Sequence, residues 1–116
     1  MTTYSHALAA NIRAARARLN VSQDDIGQRM RWLGFGAWIR QTIGSIEQGH
    51  REVRADEVFG LAMALETTVV RLMTPVDVAG VQFGNITLSA DEAAEAVTGG
   101  SEWPLRQPVT APAGSL

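Results

Sequence analysis

From the N-terminus to Pro75, apolar residues recur three and four positions apart, the spacing that gathers them on one face of an α-helix. Leu8, Ile12, Ala15 and Leu19 make the first stripe and predict a helix from about Ser5 to Arg18, with Asn20 as a left-handed stop. A second helix opens at Ser22-Gln23-Asp24-Asp25. There Ser22 caps, Asp25 reaches back, and the acids favour the positive end of the helix dipole. Ile26, Met30 and Leu33 continue its inner face until Gly34-Phe35-Gly36 breaks the pattern.

The third helix, from about Ile39 to Gln48, is closed by Gly49 and keeps Ile43 and Ile46 on one side. Arg40, Gln41, Gly44, Ser45 and Gln48 fall on the other. A face kept only for solubility more usually carries Glu and Lys; this one carries side chains that hydrogen-bond to base edges. A fourth helix spans roughly Ala55 to Leu65, with Val58, Leu61, Ala62 and Leu65 inward. A short fifth runs from Thr68 to Met73 and ends at Thr74-Pro75. Beyond Pro75 the residues up to Leu88 are β-branched and punctuated by Gly80, Gly84 and Asn85, which predicts a short strand or hairpin. Ser89-Ala90-Asp91-Glu92 heads a last short helix to about Thr98, and from Gly99 the composition predicts a disordered tail. The expected fold is therefore all-α: five helices in residues 1–74, a small strand/helix extension in 75–98, and a flexible tail in 99–116.

Composition narrows the function classes. The 116 residues make one small domain of globular composition, 46% hydrophobic and 19% charged. Without cysteine there is no disulfide framework or thiolate metal site. The two histidines, His6 and His50, do not stand at metal-ligand spacing. No phosphate-binding loop, nucleophile elbow or carboxylate pair beyond the helix caps is present. No enzyme, no metal and no cofactor is therefore expected. Neither a signal peptide nor a membrane span is apparent, so the expectation is a cytoplasmic protein.

Net charge is −2, but unevenly spread. Up to Thr74 there are nine arginines against seven acids, a balance of +2; from Pro75 there is one against five, a balance of −4. All ten basic residues are Arg. Arginine's planar fork suits phosphate and guanine, although an Arg-only repertoire also follows from a GC-rich genome.

Two helices joined by a turn, the second with a polar outer face, is the geometry that places a helix in a DNA major groove. Residues from about 8 to 73 resemble the Cro/C1-type (XRE-family, lambda-repressor-like) helix-turn-helix domain. The matching stretches are Ser22-Gln23-Asp24-Asp25-Ile26, then Arg40-Gln41-Thr42-Ile43-Gly44-Ser45-Ile46-Glu47-Gln48-Gly49, then Leu61-Ala62-Met63-Ala64-Leu65. The spacing between Ile26 and Ile43 is longer than usual for the family. It resembles a long-turn variant found in actinobacterial and mobile-element regulators, in which a tryptophan precedes the recognition helix.

The resemblance implies that Arg40 and Gln41 open the recognition helix and contact base edges, with Ser45 as a third reader and Thr42 on a base methyl or phosphate. Arg pairs bidentately with guanine and Gln with adenine. Gly44 would let the helix backbone approach the groove. Gln23 is similar to the family residue that grips a phosphate while bracing the recognition helix. Arg16 and Glu47 match positions that form a buried structural ion pair. Arg13, His50, Arg51 and Arg54 are further candidates for phosphate contact, which positions without reading sequence. Arg29 and Arg31 would join them if the long turn lies along the duplex.

Trp38 reads as core of the long turn, Trp32 and Phe35 as core or exposed patch, and Trp103 as a docking residue or part of a disordered tail. The expected function is a sequence-specific DNA-binding transcriptional regulator, a repressor acting as a homodimer on double-stranded DNA, its recognition helices about 34 Å apart. The post-Pro75 elements are the candidate dimer contact. One alternative is the antitoxin of a toxin–antitoxin pair, with the acidic C-terminal region holding a protein partner. The other is a protein-interaction adaptor that keeps the fold without binding DNA.

Overall fold

The computed structural model describes residues 2–99; Trp103 and the rest of the tail lie outside the described residues. In chain order the elements are β1 (Thr2–Thr3), α1 (Tyr4–Leu19), α2 (Gln23–Trp32), α3 (Arg40–Glu47), α4 (Ala55–Ala64), α5 (Val69–Met73), β2 (Val81–Phe83), β3 (Ile86–Leu88) and α6 (Ala90–Thr98). Helices occupy all five stretches that the apolar spacing predicts up to Pro75.

The ends of the helices follow local chemistry. Asn20 closes α1 at φ 54° and ψ 45°, in the left-handed region. At the start of α2 the Asp25 N–H donates to Ser22 Oγ at 3.0 Å, and the Ser22 N–H donates to Asp25 Oδ2 at 2.9 Å. Ser89 and Glu92 make the same reciprocal pair at α6, at 3.1 and 3.0 Å. Between the helices Ile12, Ile26, Met30, Ile43, Leu61, Leu65 and Leu72 are fully buried.

Two glycines set how closely the pieces approach. A Cβ on Gly27 of α2 would lie 3.2 Å from the Ile39 carbonyl carbon and 3.3 Å from the Arg40 nitrogen, so the start of α3 rests directly on α2. A Cβ on Gly60 of α4 would stand 2.6 Å from the Phe35 ring, which makes Gly60 the seat of the long turn's aromatic side chain.

The all-α expectation needs correction. Helices dominate, but the two strands after Pro75 join a third from the N-terminus in a sheet of order β1-β2-β3. β1 runs parallel to β2 with Thr2 opposite Val81, and β2 pairs antiparallel with β3, Val81 opposite Leu88. Tyr4 reinforces the junction: its hydroxyl donates to the Met73 carbonyl at 3.1 Å and its ring lies 4.8 Å from that of Phe83. The boundary drawn at residue 74 is thus crossed by hydrogen bonds, and β2 gains its second neighbour from within the same chain. A two-residue strand has no periodicity to detect, which is why β1 is invisible in the sequence.

Candidate nucleic-acid interface

α3 is only eight residues long. A helix that short is marginal by itself and takes its stability from what holds it. Its inner side buries Ile43, Ile46 and Glu47, while Arg40, Gln41 and Gln48 are exposed and Thr42, Gly44 and Ser45 half-buried. Arg40 has no ion-pair partner among the described residues. On helical spacing Gln41, Ser45 and Gln48 share one outward stripe, with Arg40 at its leading end. The exposed Gln48 is an addition to the predicted readers. Its place on the polar side of α3, seven residues after Gln41, is the signal in the sequence.

Two predicted roles shift. The Thr42 hydroxyl accepts the Ile39 N–H at 3.1 Å and so caps the helix, whatever else it touches. Gly44 does not present bare backbone outward. The site of its missing side chain faces the Gln23 carboxamide of α2, 3.6 Å from Gln23 Oε1, an ordinary van der Waals distance.

The C-terminal end of α3 is held by Glu47, 5% exposed. Arg16 of α1 meets its carboxylate bidentately, Nε to Oε2 at 2.8 Å and Nη2 to Oε1 at 2.9 Å. The hydrogen bond to Glu47 raises the pKa of the Arg16 guanidinium. Gln23 donates to Glu47 Oε1 at 3.2 Å, and Arg13 donates to the Glu47 carbonyl oxygen. Gln23 and Arg13, both named as phosphate contacts, are therefore already engaged with α3 itself.

At the other end Trp38, 2% exposed, precedes α3. Its indole N–H donates to Glu57 Oε2 of α4 at 2.8 Å, and its carbonyl accepts from Arg31 Nη1 at 2.6 Å. Arg51 donates from Nη1 to Glu57 Oε1 at 3.1 Å and from Nη2 to Oε2 at 2.9 Å, and its guanidinium carbon lies 5.1 Å from the Trp38 ring centroid. Burial pushes the Glu57 carboxyl up, but Arg51, the Arg54 N–H and the Trp38 indole together outweigh it and hold the pKa at about 2. Arg51, a candidate phosphate contact, is thus bound to an internal carboxylate. The missed residue is Glu57. Its spacing from Arg54 resembles an ordinary helix cap, and nothing local reveals that an indole nineteen positions earlier is its partner.

The remaining candidates are dispersed. Arg54 pairs with Asp56 at 3.1 Å on the surface, His50 is exposed, and Arg29 donates to the Ala64 carbonyl at 2.8 Å and to Glu66 at 3.3 Å. Phe35 packs half-buried against the core, whereas Trp32 is 85% exposed and lines a shallow depression with Met63, itself 67% exposed.

Among the described residues no helix is long and apolar enough to cross a membrane, and no group of three or more His, Cys, Asp or Glu is placed to hold a metal ion. Compared with protein-family models, with curated proteins and with solved structures, the chain matches none.

Proposed function

We propose that this chain is a sequence-specific DNA-binding transcriptional regulator of the helix-turn-helix kind, a cytoplasmic repressor that acts as a homodimer and reads the major groove with α3. The observation that carries the reading is the contrast between the two sides of that helix. Its inner side and both ends are fastened by buried groups, while Arg40, Gln41 and Gln48 project outward and are exposed. A rigid short helix leading with a guanidinium and a carboxamide has the donors and acceptors that match guanine and adenine edges. In this reading Arg40, Gln41 and Ser45 contact bases. Arg54 and His50, exposed just after α3, contact phosphate.

Selection of bound fragments from a random duplex pool tests the proposal. A palindromic consensus supports base reading by a dimer. A pool that stays random, with affinity set by salt alone, removes it.

A specific observation also favours protein binding. Trp32 and Met63, both more than half exposed, line one depression, and Phe59, also more than half exposed, stands one helical turn before Met63 on α4. Adjoining apolar side chains of this kind suit a protein partner. An antitoxin or an adaptor would use them. Copurification of a small partner, together with absence of duplex affinity, would favour the adaptor.

A further inference from the structure

The chain leading into α3 and the chain leaving it end on one carboxylate. Before the helix, the Trp38 indole N–H donates to Glu57 Oε2 at 2.8 Å. After it, Arg51 supplies donors to both oxygens at 3.1 and 2.9 Å, and the Arg54 backbone N–H donates to Oε1 at 2.8 Å. Residues 38–54 are thereby closed into a loop with α3 inside it, and the buckle is carried by α4. α3 itself packs mainly on α1 and α2, and α4 on α2 and α5, so the Glu57 cluster adds a direct hydrogen-bonded tie from the segments flanking the reading helix to α4.

The cluster is costly to build. Glu57 is 3% exposed, and a buried ion pair often contributes no more to stability than apolar side chains of equal volume. What it does supply is direction, because four donors converging on two oxygens admit only one arrangement of indole, guanidinium and backbone. The Arg31 hydrogen bond to the Trp38 carbonyl at 2.6 Å adds a second bearing from α2.

We propose that Glu57 is a positioning residue for sequence reading, fixing the angle at which α3 presents Arg40 and Gln41. This rests on the DNA-binding reading above. Bidentate base contact needs its donors placed within roughly half an ångström, whereas phosphate attraction tolerates tilt. Loss of the buckle therefore lowers discrimination and leaves general duplex affinity in place.

The test uses Glu57→Gln, which preserves size but removes the charge, and Trp38→Phe, which preserves a ring but removes the indole N–H. Affinity for the fragment selected by the wild type and for random duplex is measured well below the melting temperature of each protein. The expected result is a fall of about tenfold in the ratio of the two affinities, the value of one good base-edge pair, with random-duplex affinity unchanged. An unchanged ratio in folded variants overturns the proposal, as does equal weakening on both duplexes. If the wild type selects no sequence, the DNA reading itself has failed. Amide hydrogen exchange then judges the buckle alone. Faster exchange confined to residues 39–48 supports it, and exchange unchanged or raised equally in α1 and α5 overturns it.

Discussion

Acidification should remove the charge that holds Trp38, Arg51 and Arg54 together. Burial of Glu57 opposes ionisation, yet the Arg51 hydrogen bonds, the Arg54 N–H and the Trp38 indole bring its pKa from 4.5 down to about 2. The folded-state value lies below the unfolded one, so this contribution to stability is complete above the unfolded pKa and is lost as the pH falls through the folded pKa. The relevant window runs from 4.5 to about 2. That gap corresponds to about 3 kcal/mol, a large share of the stability of a small domain. Chemical denaturation of the wild type and of Glu57→Gln, repeated between about pH 6 and pH 2, isolates the effect. The Asp25 carboxyl, lowered by its bonds to the Ser22 backbone and side chain, is common to both proteins and cancels. The wild type should lose its advantage over the variant as the pH passes downward through the window. A difference that stays constant from pH 6 to pH 2 would show that the Glu57 cluster carries no coupled charge and refute the reasoning.

Arg40→Ala should weaken binding to the preferred duplex by about 1–3 kcal/mol and leave random DNA almost unaffected in a fluorescence titration, whereas equal losses would make Arg40 a phosphate contact. Arg16→Ala leaves Glu47 buried with Gln23 as its remaining side-chain donor. Because Arg16 itself is 25% exposed, the cost should sit at the low end of the range for a broken buried pair, about 3 kcal/mol. Calorimetry would read this as a melting temperature lower by roughly 10–20 °C, and an unchanged value would remove the pair from the stability account. Gly60→Ala places a methyl 2.6 Å from the Phe35 ring, and overpacking of that kind should cost about 1–3 kcal/mol in urea denaturation. A neutral result would mean that Phe35 moves freely out of its seat.

Much of the helical architecture is legible in the residues themselves. Three-and-four spacing locates the helices because a buried stripe repeats within a few positions, and the Ser22–Asp25 and Ser89–Glu92 caps are local hydrogen bonds between residues three apart. The outward polar side of α3 follows from the same geometry once Ile43 and Ile46 turn inward. Trp38 as core of the turn could also be anticipated, since so large an apolar side chain between two helices has few other places to go.

The sequence by itself determined where helices start and stop and which face of each is apolar, because those depend on contacts within one turn of backbone. Tertiary structure decided the pairings. Whether Arg51 faces solvent or Glu57, whether Gly44 faces a groove or Gln23, and whether Thr2 is loose or paired with Val81 depend on which distant surfaces meet. A guanidinium or a two-residue strand has many possible partners of similar intrinsic strength. The one it takes is selected by close packing of the helices, a property that no short window of residues contains.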